Sequence, residues 1–209
     1  MADAHARSGL ARREVFRLFG ELLDYPGPDT MARAYTCGRL LDDADAMAEL
    51  ANFTLECGCL SLERLEEIYT GTFEINPASF IYAGYVLFGE STKRGALMVK
   101  LQEEYRRRDF SYVGELPDHL GLMFRFLATV DDAPAMVDDL LAECIAPAAH
   151  QMREAIDPAN PYAALLSAIL HVIDPEGRAT LARVLERFGR GFLPEREGFV
   201  PEADVVPAE

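Results

Sequence analysis

An all-α fold is the first expectation from this 209-residue chain, and three observations lead to it. Apolar residues recur three and four apart through most of its length, the spacing of a helix face laid on a core. No long run alternates with period two, and β-branched residues are sparse, so a sheet would have to form from sequence that disfavours it. Prolines and small polar residues stand just before the periodic segments, where helices begin.

Val15, Phe16, Phe19, Leu22 and Leu23 form the first apolar stripe, which Tyr25-Pro26-Gly27-Pro28 stops. From Asp29 to Cys57 one or two further helices are expected, with Leu40, Leu41, Met47, Leu50 and Phe53 as core contacts. Ser61 can cap a helix carrying Leu62, Leu65, Ile68 and Tyr69, and Phe73-Glu74-Ile75-Asn76-Pro77 then breaks the periodicity ahead of an aromatic stretch from Phe80 to Phe88. Beyond Gly89, Ser91 and Thr92 open a helix with Leu97, Met98, Leu101 and Tyr105 on one side. Lys100, Glu103, Arg106 and Arg107 lie mostly on the other.

Pro117, Pro134, Pro161 and Pro175 each precede a set of apolar residues at helical spacing. The sets are Leu120, Met123, Phe124 and Leu127; Val137, Leu140, Leu141 and Cys144; Leu165, Leu166, Ile169 and Leu170; and Leu181, Val184, Leu185 and Phe188. Asn160 and Asp174 are further caps. With no internal repeat and no second composition regime, residues 1–190 read as a single helical domain and 191–209 as an irregular C-terminal tail.

Composition excludes some functions. Half of the residues are hydrophobic and 26% charged, the balance of a folded globular protein, while a net charge of −15 repels nucleic acid and anionic lipid surfaces and favours basic partners. Arg12-Arg13 is no export signal in this reading, because Glu14, Arg17, Glu21 and Asp24 interrupt the apolar run such a signal requires, and no stretch is long enough to span a membrane. A cytoplasmic protein with reduced thiols at Cys37, Cys57, Cys59 and Cys144 is expected. The Cys57-Gly58-Cys59 pair has no partner set for a structural zinc site and reads as two buried or incidental thiols. No resident cofactor or metal is expected.

Of the four histidines, His150 and His171 lie in helices as core-edge or surface residues, and His5 falls in a frayed terminus. None pairs with a serine or cysteine as in a nucleophilic centre. Glu115-Leu116-Pro117-Asp118-His119-Leu120 stands apart, since it gathers two carboxylates and an imidazole at a helix start, where free amides and the positive dipole end are exposed. Two readings of it stay open on local physics: Glu115 and Asp118 as amide-capping groups with His119 on the surface, or a polar binding site.

This segment, Glu-x-Pro-Asp-His, resembles the chaperone family of the nitrate reductase delta subunit (NarJ) and the TorD and DmsD type maturation factors. The likeness extends through Tyr69-x-x-x-Phe73-x-x-x-Pro77, Tyr82, Leu87-Phe88-Gly89-Glu90, Arg94-Gly95 and Met98 to Tyr105, and downstream to Pro147 and Asn160-Pro161-Tyr162. Its strongest part covers roughly Tyr69 to Val130, while the first and the C-terminal helices agree in character more than in residues. Where the family pattern has an acidic residue on the turns after His119, this chain has Gly121, Met123 and Arg125.

The resemblance implies a helical bundle of the TorD/NarJ-like type that is a chaperone and no enzyme. It implies binding to the N-terminal or twin-arginine segment of a molybdopterin oxidoreductase catalytic subunit until molybdenum cofactor insertion is complete. Carried onto this sequence, Glu115, Pro117, Asp118 and His119 would meet the client's arginines or polar backbone, and Tyr69, Phe73, Tyr82 and Phe88 would shape the hydrophobic region beside them. Monomer and dimer are both compatible with the family. Two other classes remain in view: a metal-dependent hydrolase using Asp118 and His119 with Glu115, and a permanently bound accessory subunit.

Overall fold

Four helices begin where a short polar side chain, Asp43, Ser61, Ser91 or Asn160, takes up a free amide. The computed structural model describes residues 2–75 and 77–177, with side chains from Gly9 onward. Helix α1 spans Ala2–Leu22, so His5 is carried on helical backbone instead of a frayed end. Its buried stripe is Val15, Phe16, Leu18, Phe19, Leu22 and Leu23. The turn that follows is pinned where the Gly27 N–H donates to Thr30 Oγ1 at 2.9 Å. Helix α2 (Thr30–Gly38) and helix α3 (Ala44–Gly58) come next, α3 capped by Asp43, whose carboxylate accepts the Ala46 N–H at 2.8 Å.

Ser61 caps α4 (Leu62–Phe73), and Ser91 caps α6 (Thr92–Arg107), with the six-residue α5 (Ala83–Phe88) between them. Helix α7 is Leu120–Thr129. Helix α8 (Pro134–Leu140) continues through a π-helical turn, Leu141–Ile145, into α9 (Ala146–Ala155), forming one bulged rod. The bulge has a cause in Pro147, which lacks an N–H and whose ring would collide with the carbonyl four residues back in regular α geometry. Asn160 caps α10 (Pro161–Ile173), its side chain accepting the Tyr162 N–H at 3.0 Å.

The largest packing faces join α1 to α7 and α3 to α10. Between them sits one continuous core that includes Phe16, Phe19, Phe53, Phe73, Phe124, Tyr105 and Tyr162. Among the described residues there is no strand; a single antiparallel bridge joins Tyr82 to His119. No helix among them is long and apolar enough to cross a membrane.

Several expectations are corrected. Met47 faces outward, 45% exposed, because α3 turns Ala46, Leu50, Phe53 and Cys57 inward; Leu40 and Met98 are half-buried at the core's edge. Pro117 does not open a helix: it lies in a turn, and α7 starts three residues later. Cys57 is buried but Cys59, beyond the end of α3, is exposed. The set Leu181, Val184, Leu185 and Phe188, and the tail 191–209, lie outside the described residues.

Candidate functional site

The Glu115–Leu120 segment is held by groups from the start of α5, from α6 and from α7. Backbone bonds from the Ala83 N–H to the Asp118 carbonyl (2.8 Å) and from the Leu120 N–H to the Ile81 carbonyl (3.0 Å) stitch it to the start of α5. The buried Tyr105 hydroxyl of α6 donates to the Pro117 carbonyl at 2.8 Å.

Asp118 is fully buried and faces Arg94, whose Nε and Nη2 donate to the two carboxylate oxygens at 2.8 and 3.3 Å. A buried carboxylate requires such a partner, since an unpaired charge there costs several kcal/mol (about 3–5). The guanidinium is itself confined between two aromatic faces, 5.7 Å from the Tyr82 centroid and 5.2 Å from that of Tyr85. Room for the pair comes from Gly84, where a Cβ would stand 2.7 Å from Asp118 Oδ2.

His119 is 2% exposed and not on the surface. It, and neither carboxylate, caps α7: Nδ1 accepts the Leu122 N–H at 3.3 Å. Burial, with Arg125 adding its positive field, lowers its pKa from 6.5 to about 4, so the ring is neutral at physiological pH and able to accept. Its ring packs edge-on against Tyr82 at 5.6 Å. Glu115 is exposed and accepts a hydrogen bond from the Tyr82 hydroxyl at 3.1 Å. Burial first, then the charge of Glu115, raises the Tyr82 pKa to about 12.

The other predicted residues divide by depth. Tyr69 and Phe73 are buried with Tyr162 in an aromatic nest, with centroids 5.1 to 5.6 Å apart, and the Tyr69 hydroxyl donates to the Leu23 carbonyl at 3.1 Å. Phe88 and Tyr82 are half-buried. Glu115, Tyr82 and Phe88 therefore reach solvent, while Tyr69, Phe73, Pro117, Asp118 and His119 lie beneath them.

A surface that sequence reasoning missed adjoins this segment. A shallow groove of about 540 Å³ along α4 is lined by Glu63, Glu66, Glu67, Thr70 and Gly71, with Tyr25 and Ile75 at its edge. Tyr25 is 52% exposed and Ile75 67%, and Phe80 and Leu116 are exposed as well. The field of Asp24, Glu74 and Glu115 is felt at Tyr69, which places those acids around the same end of the bundle. The signal in the sequence was the acidic run Glu63, Glu66, Glu67 along α4, of which Glu67 pairs with Arg64 at 2.7 Å.

Metal chemistry finds little purchase at Asp118 and His119. Both oxygens of Asp118 take bonds from Arg94, and the His119 Nδ1 lone pair is spent on the α7 cap. The acidic and histidine side chains that do converge among the described residues are Asp43, Asp45 and His171, within 4.8 Å of one another and elsewhere in the fold.

The family model described as nitrate reductase delta subunit matches residues 40–158, more than half of the chain, spanning α3, the Arg94–Asp118 pair and α9. The chain belongs to the nitrate reductase delta subunit family. Among its relatives is the nitrate reductase-like protein NarX of Mycobacterium tuberculosis, 31% identical over 110 residues. That alignment covers 52% of this chain but 17% of NarX, so the chain spans a small part of that relative. A second relative, named "Probable nitrate reductase molybdenum cofactor assembly chaperone NarJ", comes from Bacillus subtilis (strain 168). It is 28% identical over 124 residues, which cover 57% of this chain and 67% of that protein. The delta subunit assignment agrees with the all-helical fold and with the resemblance carried by Glu115 to Leu120.

Proposed function

We propose that this delta subunit family member is a cytoplasmic chaperone, and no enzyme, that assists molybdenum cofactor insertion into the catalytic subunit of a nitrate reductase. It does so by holding that subunit's N-terminal or twin-arginine segment. The observation that carries the reading is the α4 groove, where exposed apolar Tyr25 and Ile75 stand beside the carboxylates Glu63, Glu66 and Glu67. A segment with paired arginines beside an apolar stretch complements both features: the acids steer it in, and the apolar contact supplies most of the affinity.

On this reading Glu115, Tyr82 and Phe88 touch the client. Asp118, His119, Pro117, Tyr69 and Phe73 act from below by fixing the position of the rim. The relative from Bacillus subtilis, named as an assembly chaperone, supports the role.

Calorimetric titration with the N-terminal peptide of a nitrate reductase catalytic subunit tests it. Saturable binding is expected, weakened several-fold (about 1 kcal/mol per exposed ion pair at most) in a Glu66→Gln/Glu67→Gln/Glu115→Gln variant. Absence of binding by folded protein would overturn the client-holding role. The accessory-subunit reading predicts instead that the chain copurifies at fixed stoichiometry with the mature, cofactor-loaded enzyme.

A further inference from the structure

Helix α10 ends where α3 begins, along one of the two largest packing faces of the core. Three side chains with metal-ligating atoms meet there: Asp43, the cap of α3, Asp45 in its first turn, and His171 in the last turn of α10. A carboxylate oxygen of each aspartate and a ring nitrogen of the histidine all lie within 4.8 Å of one another. Both aspartates are exposed and His171 is half-buried, so an ion from solvent reaches all three.

The imidazole sets this cluster apart from an acidic patch. It arrives from a helix at the other end of the described chain, and the packing of α10 on α3 is what carries it to the carboxylates. A histidine between two carboxylates ordinarily bonds one of them, yet among the described residues no hydrogen bond or ion pair joins His171 to Asp43 or Asp45. The three groups converge on a common point instead of on each other. Asp43 is held in direction as well: Oδ1 accepts the Ala46 N–H at 2.8 Å, which leaves Oδ2 for another partner.

Spacing and donor chemistry agree on the occupant. A tetrahedral ion with bonds of about 2.0–2.2 Å holds its ligand atoms roughly 3.4 Å apart, a distance that small torsional adjustments of these three side chains reach. Two carboxylates balance a divalent charge, and the imidazole nitrogen favours zinc and its neighbours over calcium and magnesium, which take oxygen ligands. Three protein ligands leave a further position for water.

We propose that Asp43, Asp45 and His171 form a binding site for a divalent transition-metal ion, zinc by its donor set, that clips the end of α10 to the start of α3. Because Tyr162 of α10 packs on Tyr69 and Phe73 of α4, the bound ion also secures that aromatic nest.

The test is calorimetric titration of the chelator-stripped full chain with zinc, and separately with calcium and magnesium, beside thermal unfolding in each ion. One zinc per chain is expected, with a raised unfolding temperature, because the ligands come together only in the folded state. Calcium and magnesium should bind at least about ten-fold more weakly. His171→Ala and Asp45→Asn should each weaken zinc binding about ten-fold or more and remove most of the thermal shift, with the circular dichroism unchanged. Cys59→Ser, which removes the exposed thiol at the opposite end of α3, should alter neither. Unchanged zinc affinity in His171→Ala, or calcium binding as tight as zinc, would reduce the cluster to an acidic patch that collects cations and overturn the proposal. Failure of the folded protein to bind zinc would overturn it as well.

Discussion

Gly20 of α1 and Gly121 of α7 face each other so closely that a Cβ on either would stand 2.7 Å from the carbonyl oxygen of the other. The crossing is reciprocal, and both obstacles are backbone, which cannot swing aside. This contact lets α1 lie against α7 along the largest helix pair of the core and brings Asp24 to Arg125, paired at 3.0 Å. It also explains why the turn after His119 carries a glycine: an added Cβ at Gly121 would meet Asp24 Oδ1 at 2.9 Å and the His119 ring at 3.1 Å.

Gly20→Ala and Gly121→Ala should therefore each destabilise the fold by about 1–3 kcal/mol, the usual cost of overpacking. Gly71→Ala, at a helical position with nothing within 4 Å, should instead stabilise by about 0.5–1 kcal/mol. Urea denaturation midpoints of the three variants decide the matter; equal behaviour of Gly20→Ala and Gly71→Ala would contradict the crossing.

Arg94→Ala should cost about 3–5 kcal/mol, because it strands the buried Asp118 carboxylate. Arg94→Lys keeps the charge but loses the two-pronged bond and the stacking on Tyr82 and Tyr85, so a smaller loss of about 1–2 kcal/mol is expected. Combining Arg94→Ala with Asp118→Asn should recover part of the loss, and a double-mutant cycle from denaturant unfolding reads the coupling.

Acid should weaken the protein through His119. Its folded pKa of about 4 lies below the unfolded value of 6.5, so the unfolded chain binds the extra proton. The neutral-state stabilisation is complete above pH 6.5 and is lost as pH falls toward 4, amounting to about 2 kcal/mol between pH 7 and pH 5. Asp24 has the opposite sign: burial, only partly offset by Arg125, raises its folded pKa, which favours the folded state in acid. Comparing wild type with His119→Asn, which preserves a capping side chain, isolates the histidine; the variant should lose most of that pH dependence in unfolding midpoints at pH 7 and pH 5.

Thiol titration should separate the cysteines. Cys59 is exposed, whereas burial raises the thiols of Cys37 and Cys57 to about 12 and pushes Cys144 higher still. A disulfide reagent at pH 8 should modify Cys59 rapidly and the other three only on unfolding. Rapid reaction of Cys57 would show that the end of α3 opens.

Asn160 should behave as more than a cap. Its Nδ2 donates to Thr72 Oγ1 at 2.7 Å, fastening the start of α10 to the end of α4, while Oδ1 holds the Tyr162 N–H. Asn160→Asp retains the cap but loses the donor, so it should cost about 1 kcal/mol in thermal or urea unfolding, with Asn160→Ala costing more.

Helix content, the caps at Ser61, Ser91 and Asn160, and the main apolar stripe of most helices were legible in the sequence because they depend on local periodicity and on amides two or three residues away. The Glu115 to Leu120 segment was legible as a special place. Its internal roles were not. Asp118 takes its partner from 24 residues back, and His119 packs on Tyr82, 37 residues earlier in sequence, so no local pattern could show that a buried imidazole caps α7. Met47 shows the same limit in reverse: hydrophobicity placed it in the core, but the packing of α3 turns Ala46, Leu50, Phe53 and Cys57 inward and leaves Met47 exposed. Sequence by itself determined which segments are helical and which faces are apolar. Tertiary structure decided which of those faces close on one another, because burial and charge pairing arise only between elements far apart along the chain.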